Sequence, residues 1–332
     1  MAYVKLSEKA LKHNLETVSK KAGGSDKIAA VLKDNAYGHG IEGFAKKISR
    51  LGIKKAVVRT YEEALKIADF FPYILILSDT PRHDSFHYAI NDLDTLQVLE
   101  PGTKVHLKID TGMHRNGIAL EEIEKAFELL QKNRAHLTGV FTHFRSADEL
   151  SSELFWQNEQ WQTVKQHVIE LIKKYNLQKP LFHAANSAAL FRLGCEDDFA
   201  RIGIALYGYT ELDDLYEPPA LEPVASLWAQ KIASRELKKG SRVGYGGVFE
   251  AREDMIISTY DAGYADGIFR FQKEIEDGKI LGRVSMDSIL LEGEKKEICI
   301  FSDAKKMARK LGTISYELLV KMPAHLSRTW ID

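Results

Sequence analysis

Between residues 28 and 208, short apolar, β-branched runs alternate with longer segments whose apolar positions recur at helical spacing. Such runs, bounded by Gly or polar turns, read as buried strands. Strands are expected at Ile28–Leu32, Ala56–Val58, Tyr73–Leu77, His87–Ile90, Lys104–Ile109, Leu137–Phe141, Pro180–His183 and Ile202–Leu206. Helical patterns lie between them at Tyr61–Phe70, Leu120–Lys132 and Ser152–Tyr175. In the last, Leu154, Trp161, Val164, Val168, Leu171 and Ile172 form one apolar stripe, as expected of a helix packed on a barrel. Eight strands with intervening helices predict an α/β fold whose N-terminal part is a (β/α)8 TIM-type barrel.

The rhythm changes after Tyr216-Glu217-Pro218-Pro219. Strand-like runs then dominate at Val224–Leu237, Met255–Tyr260, Leu281–Val284, Ser288–Leu291 and Glu297–Phe301, punctuated by Gly240, Gly278 and Gly293. This predicts a barrel over residues 1–217 and a C-terminal β-rich domain over 218–332, with the Pro-Pro segment as linker. The first few residues are free to join the β-rich domain.

Charge narrows the class. The 332 residues carry 46 basic and 47 acidic side chains, a net charge of −1, with no long run of one sign. Nucleic-acid and membrane-surface partners usually demand a basic face, so neither is expected. Cys195 and Cys299 form neither a metal-ligand spacing nor a disulfide framework, and no metal is expected. No apolar leader and no run of membrane-spanning length is present, so a cytoplasmic location is expected.

Polar residues gather where a barrel of this kind places its chemistry, at the C-terminal ends of strands. Lys33 follows the first strand and opens Lys33-Asp34-Asn35-Ala36-Tyr37-Gly38-His39-Gly40, a strand-to-helix turn. A lysine amine there suits Schiff-base chemistry with a carbonyl. Lys108, Asp110 and Arg115 follow another strand, Thr142-His143-Phe144 ends the next, and His183-Ala184-Ala185-Asn186-Ser187 ends another. Ser187 is placed to cap the helix Ala188–Leu193, and with the amides of Gly203 and Ile204 it offers a phosphate cradle. Tyr37 and Tyr316 add phenolic donors, His143 a ring to stack on, and Arg201 a donor to a ring nitrogen. Pyridoxal 5′-phosphate meets all of these demands. No GxGxxG, P-loop, HExxH or catalytic-cysteine signature competes.

The segment KDNAYGHG at Lys33–Gly40 resembles the pyridoxal-lysine motif of bacterial alanine racemases. The resemblance runs on through KIDTGMHRNG (108–117), THF (142–144), HAANSAA (183–189) and RIGIALYG (201–208). It continues in GYGGVF (244–249), AGYADG (262–267), GRVSMD (282–287) and ISYE (314–317), in the family's order. It implies that Lys33 holds the cofactor and serves as one of two catalytic bases, with Tyr245 of a partner subunit as the other. Racemisation asks for this arrangement, since a proton leaves one face of the α-carbon and returns on the opposite face. A tyrosine hydroxyl ordinarily titrates at ~10, so cations near the phenolate are expected. The resemblance further implies cofactor contacts from Tyr37, His143, Asn186, Ser187, Arg201, Gly203, Ile204 and Tyr316. Arg115 corresponds to the cation beside the cofactor's phenolate oxygen, and Lys108 to a lysine that many members carbamylate. Met286 and Asp287 match the partner-side region that meets the substrate carboxylate, and Tyr264 an entrance tyrosine.

Arg201 carries the sharpest mechanistic expectation. A guanidinium only donates, so opposite the pyridine nitrogen it cannot stabilise a ring proton, and the ring stays a weak electron sink. That favours racemisation over transamination. The chain departs from the family at Arg145, where a small residue is usual, at Asn116, which replaces a common Leu, and in a shorter C-terminal stretch after Tyr316. The resulting expectation is a homodimer with shared sites that interconverts L- and D-alanine to supply peptidoglycan. A broader racemase acting on Ser or Lys and a non-catalytic cofactor-binding protein are the alternatives. The absence of a leader weighs against the first, Tyr245 and the β-rich domain against the second.

Overall fold

The computed structural model describes residues 2–332. The first strand, β1 (Tyr3–Ser7), stands outside the barrel. Eight parallel strands follow: β2 (Ile28–Val31), β3 (Lys55–Val58), β4 (Tyr73–Ile76), β5 (His87–Ile90), β6 (Lys104–Lys108), β7 (His136–Phe141), β8 (Leu181–His183) and β9 (Ala200–Ile202). They pair in chain order from β2 to β8, and β9 returns to β2, so the sheet nearly closes on itself. The remaining seam between β8 and β9 is bridged by Asp198 N–H to Phe182 O at 3.0 Å and Arg201 N–H to Ala185 O at 2.9 Å. Strands β2 and β5 are buried at every position, as expected when a sheet is covered on both faces.

Helices wrap the barrel through single apolar stripes. All six stripe residues predicted in the long helix are buried in the helix Glu153–Lys174, each contributing about 2 kcal/mol of burial. The predicted β-strand Ile202–Leu206 is corrected to Ala200–Ile202. After Ile202 the backbone turns, because the amides of Gly203 and Ala205 close onto Ser187 Oγ at 3.3 and 3.4 Å.

The second layer is a β-rich sheet. Its long strand, β10 (Ala225–Leu237), pairs antiparallel with β1 and with strands Met255–Tyr260 and Glu297–Phe301, while Ile289–Glu292 extends the sheet. Strand Ser327–Ile331 lies parallel to β1, so residues from both ends of the chain share this sheet. Leu281–Val284, expected as a strand, is an irregular segment. Leu281 and Val284 are buried, yet only Leu281 N–H enters a ladder, donating to Leu290 O at 2.8 Å. Two helices that the apolar pattern did not announce, Ala304–Leu311 and Ser315–Val320, pack against each other, and the second brings Tyr316 and Val320 to the mouth of the barrel. Tyr209 Oη accepts from Ala304 N–H at 2.9 Å and Lys305 donates to Thr210 O at 2.7 Å, fastening that layer to the segment following β9.

Candidate active site

The C-terminal ends of the strands open into a cavity of about 660 Å3, a size suited to a small-molecule ligand. Lys33, the second residue after β2, points to it from an unusual turn. Asp34, Asn35, Ala36 and Tyr37 all have φ between 49° and 57°, forming a turn of left-handed helix without one glycine. For L-residues this costs roughly 1–2 kcal/mol each, so neighbours must hold it. Ala36 N–H donates to Leu32 O at 2.9 Å, and Asn35 N–H to the Glu63 carboxylate at 3.2 Å. Asn35 Oδ1 accepts from Ile41 N–H at 3.0 Å, starting the next helix, and Asp34 pairs with Arg59 at 3.0 Å. From the far end of the sequence, Arg328 donates twice to Gly38 O, at 2.8 and 3.0 Å.

Tyr37 leaves this turn to stack between Tyr207 and Tyr316, with ring centroids 4.8 and 5.8 Å away. Burial raises its hydroxyl well above the usual range and keeps it protonated, a donor. That hydroxyl faces Gly203 so closely that a Cβ there would lie 2.7 Å from it. Ser187 was expected to cap its helix; Asn186 does so instead, accepting from Ala189 N–H at 2.9 Å. Ser187 Oγ is thereby free to face the Gly203 and Ala205 amides, completing a small cradle of donors.

On the opposite wall Arg201 is buried in β9. Its Nη1 donates to His183 O at 2.9 Å and meets His183 Nδ1 at 2.7 Å, while Nη2 donates to Thr142 O at 2.7 Å and Ala184 O at 3.1 Å. Nη2 also lies 3.4 Å from His143 Nδ1. All of these bonds run through Nη1 and Nη2, the Nε–H makes none among the described residues, and Arg201 lines the cavity. Burial pulls its pKa down to about 10, which leaves it positive at neutral pH. His143 is held neutral, first by burial and then by the charges of Arg201, Lys108, Arg115 and Lys33. Lys108 donates to Asn116 Oδ1; burial, then Arg115 and Arg201, lower its pKa to about 8.

Eleven of the residues singled out in the sequence thus share one cavity: Lys33, Tyr37, Lys108, Arg115, His143, Asn186, Ser187, Arg201, Gly203, Ile204 and Tyr316. Tyr245, Tyr264, Met286 and Asp287 do not join it. They lie together elsewhere on the surface. Tyr264 N–H donates to Ser285 O at 3.0 Å, Ala265 N–H to Met286 O at 2.8 Å, and Gly246 beside Tyr245 abuts the Arg283 side chain. Tyr245 and Met286 are 65% and 60% exposed, too much for large side chains serving their own core. Arg59 and Asn91, which sequence reasoning passed over, also line the cavity. Each is the first residue after a barrel strand, Lys55–Val58 and His87–Ile90, and that position was the signal that could have found them.

A donor cradle, a lysine and a buried donor-only cation at the strand ends of a parallel barrel, with a β-rich second layer, define a two-part barrel enzyme. The family model for the alanine racemase N-terminal domain matches residues 6–211, and that for the alanine racemase C-terminal domain residues 224–330. The chain belongs to the alanine racemase family and is an isomerase of the racemase type. The alanine racemases of Campylobacter concisus (strain 13826) and Campylobacter jejuni (strain RM1221) are 42% and 43% identical to it over 340 residues, covering 100% of each chain. Among solved structures, the alanine racemase from Bacillus anthracis with bound L-Ala-P superposes with a TM-score of 0.87 at 26% identity, covering 100% of this chain and 95% of that one. The alanine racemase from Clostridium difficile 630 gives a TM-score of 0.89 at 26% identity, over 99% of this chain and 95% of that one.

Proposed function

We propose that this enzyme interconverts L- and D-alanine with pyridoxal 5′-phosphate, in the cytoplasm, supplying D-alanine for peptidoglycan. The observation that carries the reading is the pairing, across one cavity, of Lys33 with the unpartnered Nε–H of Arg201. The residues fit the cofactor. The Gly203 cradle, which a Cβ would fill, would take the phosphate with Ser187, Ile204, Tyr37 and Tyr316. His143, Asn186 and Arg115, which line the same cavity, would hold the ring and its phenolate oxygen. When bound, pyridoxal phosphate supplies an aldehyde that condenses with amines and a conjugated ring that draws electrons from the α-carbon.

The protein's part is to hold and move protons. Lys33 Nζ serves one face of the α-carbon, and Tyr245 Oη of the partner subunit serves the other. In each direction one of the two removes the proton and the other returns one, and reversing the reaction exchanges their roles. Arg201, donating and never accepting, would leave a ring nitrogen set against it unprotonated. Met286, Asp287 and Tyr264 accompany Tyr245 on the partner's face, which explains their exposure in a single chain. Lys108, lowered to about 8, keeps a useful fraction as neutral amine, the form that adds CO2. Its carbamate, formed with loss of one proton, would set an anion beside Arg115. A gain of one CO2 on Lys108 in native mass spectrometry checks this.

Two experiments test the reading. Borohydride reduction of the yellow, cofactor-loaded enzyme should fix the pyridoxyl group on the peptide containing Lys33; labelling of another lysine would sink the assignment. Lys33→Ala and Tyr245→Phe homodimers should each be nearly inactive, yet their purified heterodimer should regain about half of wild-type activity, because one of its two sites is intact. A verified heterodimer that stays inactive refutes the shared site. Chiral chromatography of L-Ala, L-Ser and L-Lys turnovers decides substrate breadth.

A further inference from the structure

The barrel interior holds a line of polar side chains that the reaction, as described, does not use. His183 on β8, His106 on β6 and Tyr73 on β4 lie beneath Arg201, and none of them lines the cavity. His183 Nε2 and His106 Nδ1 are 2.8 Å apart, and His106 Nε2 meets Tyr73 Oη. With the Arg201–His183 contact this makes one continuous chain of hydrogen bonds running down the barrel.

Arg201 sets the direction of that chain. A guanidinium offers only donors, so His183 Nδ1 must present a lone pair to it. In a neutral imidazole the proton then sits on Nε2, which donates to His106 Nδ1, and His106 in turn donates through Nε2 to Tyr73. Both imidazoles are kept neutral, first by burial and also by the Arg201 charge. The fold makes room for this arrangement. The His106 ring occupies the space in which a Cβ on residue 139 would lie, 2.0 Å from Nδ1, and the β6–β7 register shifts between Val105 and His106. Gly139 has an ordinary strand conformation, so space alone requires glycine there.

We propose that His106 is a positioning residue for the racemase reaction: as the acceptor for His183 it fixes the proton order that holds Arg201 with its Nε–H turned to the cavity. This rests on the reading that Arg201 meets the cofactor ring. Without an acceptor at 106, the His183 proton is stranded in the core, and the imidazole whose Nδ1 meets the guanidinium is no longer fixed in tautomer or orientation.

The test has two parts. In cofactor-free protein with 15N-labelled histidine, His183 and His106 should both appear as neutral Nε2–H tautomers; an Nδ1–H tautomer at either overturns the proposal. In loaded enzyme, His106→Leu should lower kcat about tenfold with KM little changed, and raise the release of pyruvate, the keto acid left when the amino group stays on the cofactor. His106→Gln, whose amide oxygen can accept from His183, should restore most of both. Wild-type kcat and pyruvate ratio in His106→Leu, or equal slowing in both variants with an unchanged ratio, would leave His106 a packing residue only. Arg201→Glu separates this from failure of the parent reading. If it too leaves the pyruvate ratio unchanged, the placement of Arg201 at the ring falls and the proposal with it; if it raises the ratio while His106→Leu does not, only the role of His106 falls.

Discussion

At the scale of single residues, the lysine turn is the least probable piece of backbone in the molecule. Four consecutive non-glycine residues sit in the left-handed region because outside groups take up their amides and charges. Glu63 is central: its carboxylate accepts from Asn35 N–H at 3.2 Å and from Arg59 N–H at 2.8 Å. Glu63→Ala strands both amides, so stability should fall by about 1–3 kcal/mol and cofactor affinity should fall with it, whereas Glu63→Gln, keeping an acceptor, should lose less. Thermal melts and cofactor titration of the two variants check this, and equal behaviour of both would remove Glu63 from the account. The position of the turn was legible, since Gly38 and Gly40 punctuate it. Its handedness was not, because Ala36 and Tyr37 have no preference for the left-handed region and the forces that place them there come from Glu63, Arg59 and Arg328. The Asn186 cap was hidden for a similar reason: Asn and Ser are both good caps, and only the pull of Gly203 on Ser187 decides between them.

Among the elements, the barrel strands were readable because burial on both faces leaves an unbroken apolar run. The eighth failed where Gly203-Ile204-Ala205-Leu206 stays apolar after the strand ends: burial continues through the turn, so hydropathy cannot mark the boundary. Leu281–Val284 misled because Leu281 and Val284 are buried, while Gly282 and the exposed Arg283 between them break any strand pairing. The helices Ala304–Leu311 and Ser315–Val320 escaped notice because the β-rich rhythm around them is dense and each helix is short. Strand pairing also yields a sharp expectation at Gly139. Gly139→Ala drives a methyl into the His106 ring and should destabilise by about 1–3 kcal/mol or more. Combining it with His106→Ala should remove most of that penalty, since the clash needs both side chains. Additive losses in urea unfolding of the single and double variants would count against the crowding.

Taken as a whole molecule, the enzyme is built to weaken in acid. His39, His87, His106, His143 and His183 are all held neutral below the ordinary imidazole range, chiefly by burial, with His39 and His87 at about 4. Near pH 5 the unfolded chain binds a proton at each of these sites while the folded chain does not. Unfolding there should therefore take up about five protons, and stability should drop steeply as pH falls from 6.5 towards 4. Calorimetric unfolding in buffers of different ionisation heat measures the uptake; an uptake near zero would contradict the buried, neutral assignment. The exposed set Tyr245, Met286 and Asp287 was legible only as a family pattern, since nothing local in the sequence sets these residues apart from other surface positions.

The two hydrogen bonds from Arg328 to Gly38 O join residues 290 positions apart in sequence. During synthesis on the ribosome, the turn that carries Lys33 emerges early, and the arginine that fastens it emerges only after both layers have been made. The barrel can collapse before that with Glu63 and Arg59 already in place, but the fastening at Gly38 must wait until residue 328 is free to reach it. If the proposed cofactor reading holds, a nascent chain stalled short of that point should be largely folded yet retain pyridoxal phosphate less well than the finished chain, because one fastening of its lysine turn is among the last contacts to form.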